Sequence, residues 1–110
     1  MPMSPQFVER FSQLTWSQQI GNLASTLSHI ASRATAPKSE ALVSRWLREA
    51  AVLIEISAPH VPQTLLLELA PLQRELLVWS ALWPENAPRE LLALQTHHIA
   101  DRLLRSADLA

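Results

Sequence analysis

Residues 15–34 read TWSQQIGNLASTLSHIASRA, and the spacing of their apolar side chains decides the fold class. Trp16, Ile20, Leu23, Leu27, Ile30 and Ala34 recur at alternating intervals of four and three. That rhythm places all six on one side of an α-helix of 3.6 residues per turn. Thr15 and Gln18 form a capping-box signature at its start: the threonine hydroxyl can accept from the Gln18 backbone N–H, and the glutamine side chain can reciprocate. The segment therefore reads as an amphipathic helix with a defined beginning.

The same rhythm continues on both sides. Upstream, residues 5–14 carry Phe7, Phe11 and Leu14 on one side, enough for two or three turns. Downstream, a helix from about Pro37–Glu40 to Ser57 has an inward stripe of Val43, Trp46, Leu47, Ala50, Leu53, Ile54 and Ser57. A further helix from Pro62 to about Trp83 repeats Leu65, Leu69, Leu72, Leu76, Trp79 and Trp83 at four–three spacing. Pro71 lies inside it and is expected to kink or split it, since proline removes one helical hydrogen bond and crowds the Leu67 carbonyl. The last helix is expected to be capped by Asn86, with Pro88 in its first turn. It should end near Ser106 with Leu91, Leu94, His98 and Arg102 turned inward, flanked by Leu92, Ile99 and Leu103. Seven of the eight prolines sit at the ends or between these segments, which marks the boundaries.

Composition agrees. The chain has 110 residues, of which 48% are hydrophobic, so a single domain with one core is expected over residues 1–110 and a disordered tail is excluded. Its single glycine, Gly21, argues against a sheet fold that needs many tight turns. The expected architecture is all-α: an antiparallel up-down bundle of four main helices, each about 28 Å long at 1.5 Å per residue, with a short N-terminal helix.

Several function classes drop out. A formal net charge of −1 supplies no field toward nucleic acid or an anionic membrane. Cysteine is absent, which excludes disulfides and thiol chemistry. With one glycine there is no phosphate-binding loop, dinucleotide fingerprint or nucleophile elbow, so no catalytic residue is assigned and the chain is expected not to be an enzyme. Glu68 and Glu75, seven apart, are expected to pair with Arg74 and neighbouring arginines in solvent. His97, His98 and Asp101 lie within one turn but would need ligands from another helix to hold a metal. The expectation there is a surface pair beside a partly buried His98, with no metal and no cofactor. Residues 65–83 are apolar enough to raise a membrane question, but Glu68, Arg74 and Glu75 interrupt them, so no transmembrane segment is expected. No basic segment followed by an apolar one marks a secretory signal, which gives a cytoplasmic expectation.

Two surfaces remain as partner-binding candidates. Opposite the core seam of the helix at 15–34 lie Gly21, Ser25, Ser28 and Ser32, flanked by Ser17, Gln18, Gln19, Asn22 and Thr26. Small uncharged side chains allow close approach and are inexpensive to desolvate beside hydrogen-bonding partners. The helix at 62–83 is apolar nearly all round, so Leu66, Leu77 and Trp83 are expected to be surplus to the core and to face a partner. Eight of the nine basic residues are arginine and four residues are tryptophan, both enriched at interface hot spots. The function expected is that of a non-enzymatic adaptor or accessory protein that binds protein partners and self-associates as a homodimer. The alternative is a bundle that binds a small ligand or pigment in a pocket lined by Trp46 and Trp79.

The stretch WSQQIGNLASTL at 16–27, with residues 46–58 and Leu72-Gln73-Arg74, resembles small uncharacterised helical proteins of cyanobacteria. That resemblance implies a cytoplasmic or thylakoid-associated accessory protein and assigns a role to no residue.

Overall fold

Each helix begins where the sequence supplies a start signal, and the computed structural model, which describes residues 4–108, shows how the starts differ. α1 (Pro5–Ser12) opens with Ser4, whose hydroxyl accepts from the Phe7 N–H at 3.1 Å, and with Pro5 in the first turn. α2 (Trp16–Arg33) carries the full capping box: Gln18 N–H donates to Thr15 Oγ1 at 3.2 Å, and Thr15 N–H donates to Gln18 Oε1 at 3.0 Å. α3 spans Glu40–Ser57, followed by a 3-10 turn at Ala58–His60; α4 spans Gln63–Leu82 and α5 Arg89–Ser106. The fold is all-α, and no strand occurs among the described residues.

α4 runs without interruption through Pro71. Proline is tolerated here because it and Leu67, whose carbonyl it deprives of a donor, both lie on the exposed side of the helix. The expectation of a split helix is corrected. Asn86 does not cap α5 either: its N–H donates to the Leu82 carbonyl at 3.0 Å, which makes it part of the turn leaving α4, and α5 starts after Pro88 with no side-chain cap.

α2 is the central element. It packs most extensively on α5 and next on α3, and α3 in turn packs on α4. Cross-chain bonds fix which ends meet. Ser17 Oγ donates to the Ala107 carbonyl at 2.9 Å, joining the start of α2 to the end of α5. Gln73 Nε2 donates to the Ala51 carbonyl at 3.1 Å between the middles of α4 and α3. The indole of Trp83 donates to the Glu40 carbonyl at 2.9 Å, joining the end of α4 to the start of α3. Arg102 pairs with Glu68 at 2.6 Å across α5 and α4. The radius of gyration, 13.2 Å, matches the roughly 13 Å of a compact chain this long.

The core is one cluster. Ile20, Leu23, Leu27, Ile30 and Ala34 of α2, with Val43, Leu47, Ala50 and Ile54 of α3, are fully or almost fully buried, and Leu65, Leu69, Leu72 and Leu76 of α4 close it. Trp16, Trp46 and Trp79 are half-buried at its margin. In α5 the predicted stripe is displaced: Leu91, Leu94 and His98 are exposed, and the buried side chains are Leu92, Thr96, Ala100 and Leu103. The small Thr96 and Ala100 let α5 lie close against α2, and burying that side turns Leu91, Leu94, His98 and Arg102 outward. Thr96 meets its hydrogen-bond need inside its own helix, donating to the Leu92 carbonyl at 2.8 Å.

Gln19 is also on the inside. It is fully buried rather than flanking the outer stripe, because the end of α1 folds over it and the Phe11 carbonyl accepts from its Nε2 at 3.0 Å. Its Oε1 has no hydrogen-bond partner among the described protein atoms.

Candidate interaction surface

The candidate site is the outer side of α4, and it follows from how few neighbours that helix has. Leu65, Leu69, Leu72 and Leu76 point inward, with Trp79 half-buried and Trp83 buried on the same line. At 100° per residue, Leu67, Arg74 and Val78 fall on the opposite side, with Leu66 and Leu77 toward one edge and Pro71 and Leu82 toward the other. Leu67 is 70% exposed, Val78 58% and Leu77 54%, while Leu66 and Leu82 are exposed to a lesser degree. Large apolar side chains this open, and this many on one helix, are the feature that marks an interaction surface.

Two clefts border the face. One, of about 530 Å³, is lined by Pro71, Arg74, Glu75, Val78, Trp79, Leu82 and Pro88. The other, of about 290 Å³, lies between α4 and α5 over Leu72, Ile99 and Leu103, with the Glu68–Arg102 pair at its rim. Both are open to solvent, and Trp46 lines neither; its ring rests 5.4 Å from that of His29. Glu68 therefore pairs with α5 rather than with Arg74, and neither Arg74 nor Glu75 takes part in an ion pair among the described residues.

Trp83 does not belong to this surface. It is 7% exposed and its N–H is bonded to Glu40, while the Arg89 guanidinium sits 4.9 Å from its ring and also pairs with the Glu40 carboxylate. Trp83 thus ties the start of α3, the end of α4 and the start of α5 together; the Trp83–Pro84 peptide beside it is cis. The buried heptad line of α4 runs on to its C-cap residue, whose backbone N–H still donates to the Trp79 carbonyl at 2.9 Å, and this holds the end-of-helix tryptophan inward. Leu67, Val78 and Leu82 are the surface residues that sequence reasoning passed over. Their signal was a second stripe at intervals of four, three, four and four, Leu67, Pro71, Arg74, Val78 and Leu82, hidden by the stronger one beside it.

On α2, Ser25, Ser28 and Ser32 are exposed as expected, while Gly21 is half-buried. Several hydroxyls of this side are already engaged: Ser32 Oγ donates to the His29 carbonyl at 2.9 Å, Thr26 Oγ1 to the Asn22 carbonyl at 3.2 Å, and Ser17 to Ala107. His97 Nε2 lies 3.8 Å from Asp101 Oδ2, and the His97 and His98 rings are 5.7 Å apart. Both imidazoles are exposed, which corrects the partly buried His98, and no group of three metal-ligating side chains comes together among the described residues. No helix among those residues is long and apolar enough to cross a membrane.

Among the described residues, fold and surface together give a small all-α structure with an uncovered apolar face on α4. Comparison with protein-family models, with curated proteins and with solved structures gave no significant match.

Proposed function

We propose that this chain is a non-enzymatic, cytoplasmic interaction module, an adaptor or accessory protein that docks a protein partner through the outer side of α4. One observation carries the reading: Leu66, Leu67, Leu77, Val78 and Leu82 stand exposed on a helix whose inner stripe already completes the core. Leaving such a face in water forfeits burial worth roughly 25 cal/mol per Å², and a protein partner recovers it. The end-to-end contacts between α2 and α5, α3 and α4, and α4 and α5 support an up-down arrangement of the four long helices, which presents α4 along one edge. The open clefts, and the engagement of Trp46 with His29, favour docking over the alternative of a ligand- or pigment-binding bundle.

A photo-reactive side chain at Leu77 tests the assignment against the α2 face. Cross-linked adducts should form from Leu77 and fail to form from Ser25. Adducts from Ser25 alone would move the docking face to α2 and reject the reading.

A further inference from the structure

We infer that the outer side of α4 is self-complementary and binds α4 of a second copy of this chain, antiparallel, about a two-fold axis passing between Arg74 and Glu75. The inference rests on reading α4 as the docking face, and it names the occupant. In an antiparallel pair, residues equally distant from the axis face one another across the two copies. Around the midpoint of Arg74 and Glu75, Leu67 then faces Leu82, Pro71 faces Val78, and Arg74 faces Glu75. Every member of that set is exposed. At 100° per residue the six lie within an arc of about 100°, so they share one side of the helix and can all reach the partner.

The charges single out this register. Arg74 and Glu75 are adjacent, lie near the middle of α4, and have no ion-pair partner of their own among the described residues. A two-fold axis between them brings each arginine against the other copy's glutamate, twice, with apolar contacts on both flanks. A register centred on Arg74 would instead oppose two arginines, and like charges in contact select strongly against wrong pairings. A two-fold interface requires one patch to complement itself, and this stripe does so by its order in sequence. The exposed stripe of α2, Ser25, Ser28 and Ser32, is uncharged and offers no such register.

The chain contains no cysteine, so disulfide trapping reads the geometry without background. Leu67→Cys and Leu82→Cys variants, mixed and oxidised, should give cross-linked dimers containing one of each. Either variant alone should give few, because like positions lie 15 residues apart along the pair, about 22 Å, whereas a disulfide bridges Cα atoms within about 7 Å. Charge reversal supplies the second readout. Arg74→Glu alone and Glu75→Arg alone should each weaken self-association at least about tenfold, and Arg74→Glu combined with Glu75→Arg should restore it. Cross-linking of either single variant as readily as the mixture, or no restoration in the double variant, overturns the register. A wild-type chain that stays monomeric while Leu77 cross-links a different protein overturns the inference and leaves the docking reading intact. Monomeric behaviour with no adduct from Leu77 removes both.

Discussion

Gln19 offers the sharpest test of the packing, because two opposed effects meet at one side chain. Replacing it by methionine keeps the length and nearly the volume, so no large cavity opens. The loss is the bond from Nε2 to the Phe11 carbonyl, worth about 0.5–1.5 kcal/mol net. That carbonyl is not orphaned, since it also accepts from the Leu14 N–H at 3.1 Å. The gain is removal of the fully buried Oε1, which has no partner among the described protein atoms, relieving a desolvation penalty of about 1–3 kcal/mol. Thioether and methyl groups then replace a polar amide in an apolar setting. Gain exceeds loss, so Gln19→Met should stabilise the fold by about 1 kcal/mol, a rise in Tm of roughly 4 °C for a domain of this size. Urea unfolding followed by circular dichroism would show a higher midpoint at unchanged slope. A midpoint lowered by the equivalent of 1 kcal/mol or more would refute the reasoning and show that the amide as a whole is worth keeping, pinning the end of α1 to α2.

Three further outcomes follow from the same structure. Pro71→Ala should stabilise α4 by about 1–3 kcal/mol, since an exposed interior position regains a helical hydrogen bond, and a raised Tm in calorimetry checks it. Leu27→Ala removes a fully buried side chain at the centre of α2 and should cost about 2–5 kcal/mol in denaturant unfolding; a cost under 1 kcal/mol would place Leu27 outside the core. Thr15→Ala breaks the capping box and should cost about 1 kcal/mol, with faster amide exchange confined to the first turn of α2.

How far the sequence announced this fold depends on the helix. α2 was legible in extent and seam, because its cap residues and its four–three run point the same way; of the residues assigned to its outer side, Gly21 is half-buried and Gln19 is buried by a separate element that no helical period can register. α5 was legible in extent but not in orientation. Leucines at 91 and 92, and again at 103 and 104, let two adjacent registers look apolar, and the choice fell to Thr96 and Ala100, whose value lies in smallness rather than hydrophobicity. In α4 the surplus of apolar residues was plain and its members Leu66 and Leu77 are indeed exposed, but which others faced outward depended on Trp83 finding Glu40 and Arg89, contacts some forty residues back and six ahead. Long-range partners of that kind leave no local trace.

Sedimentation equilibrium of the purified chain over a wide concentration range bears most directly on the claim that α4 is a docking face for a second copy. The wild-type mass should rise from 12.3 kDa toward twice that value, whereas Leu67→Gln combined with Val78→Gln should hold at 12.3 kDa with an unchanged helical spectrum. Dimers that persist in that variant and dissociate instead with Ser25→Arg plus Ser28→Arg would contradict the account.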